Sequence, residues 1–168
     1  AQAREIYARI VGFRTAEGQK QTPAMVAYLS DVLTKAGVPA SDITTLDSGE
    51  ARAMLVRVPG QERGRPILFS AHMDVVDARP EDWERSPFTL LEENGVFYGR
   101  GTTDNKAGVA ALMSTILRLH GEKLVPARDL VREPGRDGGH LRHQVVGLRH
   151  HLDRVAAEPA LVVLQEIG

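Results

Sequence analysis

The 168-residue sequence contains no cysteine. Disulfides and thiolate metal sites are therefore excluded, and any zinc ion must be held by His, Asp or Glu. Neither sign of charge dominates, and the net charge is −1. That removes the bulk electrostatic case for nucleic acid or an anionic membrane surface, and neither is expected as a partner. No apolar run approaches the roughly 20 residues that span a bilayer. No signal-peptide pattern is visible. The chain begins at Ala1 rather than Met, and Ala1-Gln2-Ala3 suits the end left by signal cleavage. A periplasmic or exported location is favoured over the cytoplasm on that ground alone. What is present is an ordinary globular mixture, 42% hydrophobic and 26% charged, long enough for one domain with a core.

Ile6, Ile10 and Phe13, with Tyr7 and Val11 beside them, have helical spacing over residues 3–13. Thr22 can cap a second helix with Pro23 in its first turn, and Gly37 sits where that helix stops. Residues 42–46 and 52–58 read as a strand pair. The apolar run Pro66–Ala71 suits a central strand buried on both faces. Residues 77–88 read as a loop in which Asp77, Glu81 and Asp82 face solvent. Asn94-Gly95, flanked by Leu90–Glu93 and Val96–Tyr98, is a strong hairpin signal. A helix follows from Lys106, with Val109, Leu112, Met113, Ile116 and Leu117 on its buried side and Gly121 at its end. Ala127–Val131 has the look of another strand beginning.

Two stretches carry chemistry. His72 and Asp74 lie at the end of the apolar run, where open α/β sheets hold their ligands. In extended chain the two side chains share a side, and the carboxylate can accept the second N–H of a metal-bound imidazole. Alone, His-x-Asp is also an ordinary surface or core pair. The second stretch is Gly99-Arg100-Gly101-x-x-Asp104-Asn105-Lys106. Its glycines allow positive φ and close backbone approach. Asp104 reads equally as a helix N-cap, and the glycines with Lys106 before a helix read as a phosphate cradle, although the Gly-Lys-[Ser/Thr] ending of a P-loop is missing.

Taken together, the stretches resemble the co-catalytic zinc metallopeptidase and amidohydrolase family. That family includes carboxypeptidases, dipeptidases, aminoacylases, acetylornithine deacetylase and succinyl-diaminopimelate desuccinylase. The matching residues are Ala71-His72-Met73-Asp74-Val75-Val76, Trp83, Pro87-Phe88, Gly95, Tyr98-Gly99-Arg100-Gly101, Asp104-Asn105-Lys106 and Gly108. The resemblance implies an α/β fold, an incomplete three-layer α/β/α catalytic domain with a mixed sheet, without the inserted lid or dimerisation domain. It implies His72 and Asp104 as metal ligands, Asp104 bridging two zinc ions in the intact site, and Asp74 as the catalytic residue that orients His72. It also implies a cis peptide bond at Asp104-Asn105. The substrate implied is a small peptide or an N-acyl amino acid.

The resemblance covers roughly residues 3–131 and then stops. The family carries a Glu-Glu pair, the first Glu acting as general base and the second as a metal ligand. Here the expected place holds Asp137-Gly138-Gly139, with Glu133 too early to substitute. Residues 132–168 contain no Ser, Thr, Asn, Lys, Met or aromatic residue and hold four of the six histidines, His140, His143, His150 and His151. Two domains are expected: 1–131, the N-terminal half of a metallohydrolase catalytic domain, and 132–168, an atypical tail that is out of frame or poorly ordered. The tail histidines offer a rival metal site. The function expected is that of an incomplete zinc hydrolase, inactive as it stands and holding at most one zinc ion weakly. The alternative is a non-catalytic metal- or phosphate/nucleotide-binding domain using Gly99–Lys106. Within the sheet, the strand ending at His72 needs partners, and a tail that supplies none would leave an exposed apolar edge.

Overall fold

The computed structural model describes residues 2–48, 51–61, 67–128, 130 and 162–165. The chain starts with helices α1 (Gln2–Val11) and α2 (Thr22–Lys35). A hairpin of β1 (Ile43–Ser48) and β2 (Ala51–Val56) follows, then β3 (Phe69–His72). A second hairpin, β4 (Leu91–Glu93) and β5 (Val96–Tyr98), leads into α3 (Lys106–Gly121). The last described element is β6 (Val162–Gln165).

The main sheet has the order β1-β2-β6-β3. It is mixed: β6 runs antiparallel to β2 and parallel to β3. Helix α2 packs on β2, α3 packs on β3, and α1 packs on α3. The expected mixed α/β architecture is therefore present. Its core is the junction of the three helices with β2 and β3. Ile10, Val11, Met25, Leu29, Leu33, Met54, Val56, Met73, Val109 and Met113 are wholly buried there. Each such side chain contributes about 1.5–3 kcal/mol on removal from water.

Several sequence expectations change. Thr22 is not a cap but a buried residue inside α2, and the N-cap position is Gln21, whose side-chain carbonyl accepts the Arg14 N–H at 2.8 Å. The central position expected for the strand ending at His72 can be read only against the described strands. Among the described residues it is the outer strand of the sheet, and Phe69 is 43% exposed. An apolar run cannot by itself tell an inner strand from an outer one. The strand expected to begin over 127–131 lies partly outside the described residues, and Arg128 within it is in a bridge. The neighbour that β3 needs comes instead from the tail, as β6. The second hairpin matches its expectation, with Asn94 and Gly95 both at positive φ.

Candidate functional site

His72 is the last residue of β3, and Asp74 follows two residues later on the same side. The His72 Nδ1 atom lies 3.1 Å from the Asp74 backbone oxygen and 3.3 Å from its Oδ1. The other ring nitrogen, Nε2, lies 2.7 Å from Asp104 Oδ1. Asp74 thus holds one edge of the imidazole and turns the other toward Asp104. Burial pulls the His72 pKa down, but the Asp104 hydrogen bond and the Asp74 carboxylate outweigh it and leave the value raised.

Asp104 is not a helix cap. The N-cap of α3 is Asn105, and the Asp104 carboxylate, 86% exposed, reaches across to His72. The Asp104–Asn105 peptide bond is cis, as the resemblance implied. Gly108 lets the turn close, because a Cβ there would land on the Asn105 side chain. Gly101 has φ +80, and a Cβ on it would lie 2.6 Å from Val75 Cγ1.

The loop between α1 and α2 braces both stretches at once. The buried Thr15 hydroxyl donates to the Met73 carbonyl at 2.6 Å, and the Val75 N–H donates to the Thr15 carbonyl at 3.2 Å. Lys106 donates from Nζ to the Phe13 carbonyl at 2.5 Å. Its side chain is fully buried, and burial lowers its pKa to about 8, against the opposing pull of Asp74. From α1, the Tyr7 hydroxyl donates to the Thr102 carbonyl at 2.7 Å. Lys106, the lysine of the phosphate-cradle alternative, is spent inside the fold.

Sequence reading missed the role of Asp77, expected only to face solvent. Both of its carboxylate oxygens accept from Arg14, at 2.6 and 2.7 Å, which lowers the Asp77 pKa. Trp83 and Pro87, quoted for the resemblance, support Arg100: its guanidinium lies 5.2 Å from the Trp83 ring centroid, and its backbone N–H donates to Pro87 at 2.6 Å. Glu133, Asp137 and the four tail histidines lie outside the described residues.

His72, Asp74, Arg100 and Asp104 line one cavity of about 420 Å³. Its imidazole and carboxylate fit zinc in kind, since nitrogen and oxygen are both zinc donors. At 2.7 Å the pair is in direct hydrogen-bond contact, closer than the roughly 3.3 Å expected between two donors on one tetrahedral zinc ion. Among the described residues no group of three or more His, Asp or Glu converges as a metal cage. Asp74 does not complete one, because it holds the far edge of the ring. The pair fits zinc in kind and falls short in number.

Residues 68–131 match the family model described as peptidase family M20/M25/M40. The chain is 43% identical over 101 residues to a probable succinyl-diaminopimelate desuccinylase of Staphylococcus aureus, covering 59% of this chain and 24% of that protein. It is 44% identical over 73 residues to a human N-fatty-acyl-amino acid synthase/hydrolase, covering 44% of this chain and 14% of that protein. Its fold is similar to that of an M20 family metallo-carboxypeptidase from Sulfolobus solfataricus, with TM-score 0.63 and 17% identity over 100% of this chain and 31% of the other. The chain thus spans about a quarter or less of the length of these curated relatives.

Proposed function

We propose, from the match of residues 68–131 to the M20 peptidase family model, that this chain supplies part of a zinc-dependent amide-bond hydrolase site. His72 and Asp104 are its metal ligands, and Asp74 is the positioning carboxylate. One observation carries the reading: the imidazole is held at Nδ1 by Asp74 and presents Nε2 to Asp104 at 2.7 Å. Such a carboxylate fixes the tautomer and raises the basicity of a ligating histidine. The relatives' names point to amide bonds of N-acyl amino acids or peptides as the bond class. When bound, zinc supplies Lewis-acid polarisation of a carbonyl.

We also infer that the chain as given is inactive. Residues 132–168 contain no Glu-Glu pair, and loss of a general base costs about 10²–10⁴-fold. Two ligands hold zinc weakly where structural and catalytic sites use three or four.

Zinc content after dialysis, together with amino-acid release from a dipeptide panel, tests both parts. The expected result is at most one loosely held zinc ion per chain, lost in His72→Ala and Asp104→Ala, without turnover. Zinc uptake unchanged in both variants would overturn the ligand assignment. Zinc-dependent turnover that vanishes in both would overturn the inactivity.

A further inference from the structure

Among the described residues, Arg100 is the one Lys or Arg side chain lining the cavity that holds His72, Asp74 and Asp104. Its backbone is pinned by the bond to Pro87, and its guanidinium lies against the Trp83 ring, 5.2 Å from the centroid. Stacking of this kind fixes the plane of the fork. Among the described residues the guanidinium has no carboxylate within ion-pair distance, and its Nε is buried without a hydrogen-bond partner. The acid whose field it does affect is Asp77. Both oxygens of Asp77 are already engaged by Arg14. Among the described residues the fold therefore holds a planar cation beside the candidate metal pair and leaves its buried Nε without a hydrogen-bond partner. Buried donors in native proteins normally have partners, so an orphan of this kind calls for an explanation.

We infer that Arg100 is an anion-binding group of this cavity and that its ligand is a carboxylate of the substrate, taken by the guanidinium fork. This deepens the proposed function, on which it rests for the identity of the substrate. The chemistry favours a carboxylate over a neutral amide, because only the ionised oxygens make the paired, charge-assisted bonds that a guanidinium offers. A free carboxylate can stand on either side of a scissile amide: on the amine side, as in an N-acyl amino acid, or on the acyl side, as in a succinyl amide. Arg100 selects substrates that bear one of the two and discriminates against molecules that bear neither.

NMR titrations of the full chain, with and without added zinc, test this. The probes are N-acetylglycine (amine-side carboxylate) and N-methylsuccinamic acid (acyl-side carboxylate), each against its neutral primary amide. The expected result is at least about tenfold tighter binding of one acid than of its amide. That preference disappears in Arg100→Gln. Which acid shows it identifies the side of the bond that Arg100 reads. Arg100→Lys keeps the charge but loses the fork, and its preference is expected to fall at least about threefold. If Arg100→Gln fails to fold, the lysine variant decides. No preference in the wild type in either metal state, or a preference unchanged in the variants, overturns the inference. Zinc content reports separately on the metal pair. A preference that depends on Arg100 in a protein that takes up no zinc would leave the anion site standing and the metal reading fallen.

Discussion

Lys106 carries an ammonium group inside the fold, where among the described residues it donates one hydrogen bond, to the Phe13 carbonyl. Its folded pKa of about 8 lies below the ordinary 10.5. Between those values the unfolded chain holds a proton that the folded chain has released, so unfolding takes up protons and stability rises with pH. Below about pH 8 both states are protonated, and the full cost of burying the charge remains, on the order of 3 kcal/mol. Denaturant midpoints of the wild type are therefore expected to climb from pH 8 to 10 relative to those of Lys106→Met. The difference between the two proteins isolates this residue from Tyr7 and Tyr28, whose raised pKa values act above that window. Parallel pH profiles for the two proteins would show that Lys106 is not the buried cation the fold contains. Asp74 gives the second prediction at this scale. Asp74→Asn keeps the shape of the side chain but removes the charge that orients His72, so zinc affinity is expected to fall about 10- to 100-fold. Isothermal titration with zinc reads it, and an unchanged affinity would deny Asp74 its positioning role.

The turn between β5 and α3 depends on residues without side chains. Gly101 combines positive φ with a close approach to Val75. Gly101→Ala is expected to cost at least about 1–2 kcal/mol, from backbone strain and from displacement of Val75. Urea denaturation measures it, and the same variant should lower zinc uptake because Asp104 lies three residues further on. Much of this element scale was legible in the sequence. The Asn94-Gly95 hairpin, the glycines before α3 and the apolar faces of the helices depend on local spacing, and local spacing survives in a sequence. Other features depend on distant partners and were misread. Gln21 takes the cap position of α2, and its side chain turns away from the helix to accept the Arg14 N–H. Lys106 looked like a phosphate ligand because its true acceptor, the Phe13 carbonyl, is 93 residues away. The same distance hid the Arg14–Asp77 clamp, 63 residues apart. For His72 and Asp74 the pair could be read from their separation by one residue, whereas the bond to Asp104 needed the resemblance or the structure.

At the scale of the whole molecule, the sheet depends on its last described strand. Strand β2 packs on α2, and β3 carries His72 and packs on α3, yet the two strands do not touch each other in the sheet order. Strand β6 lies between them. Val163 is paired on one side with Leu55 and on the other with Ser70. No local pattern announces this role, because four residues of an apolar run in a region poor in turn and strand signals do not specify two partners about 90 and 110 positions earlier. A proline at Val163 removes a backbone donor and cannot sit within a sheet that is paired on both sides. Val163→Pro is therefore expected to destabilise the fold by at least about 1 kcal/mol through the lost ladder hydrogen bond. Amide hydrogen exchange is the sharper measurement, since it resolves the two flanks. Protection should fall at both Leu55 and Ser70, while the β4–β5 hairpin, which belongs to a separate sheet, keeps its own exchange pattern unless the whole molecule opens. Truncation after Leu161 should give the same result without introducing proline. Full protection at Leu55 and Ser70 in both variants would mean that the core holds His72 in place without β6, and that the helices alone join the two halves of the sheet.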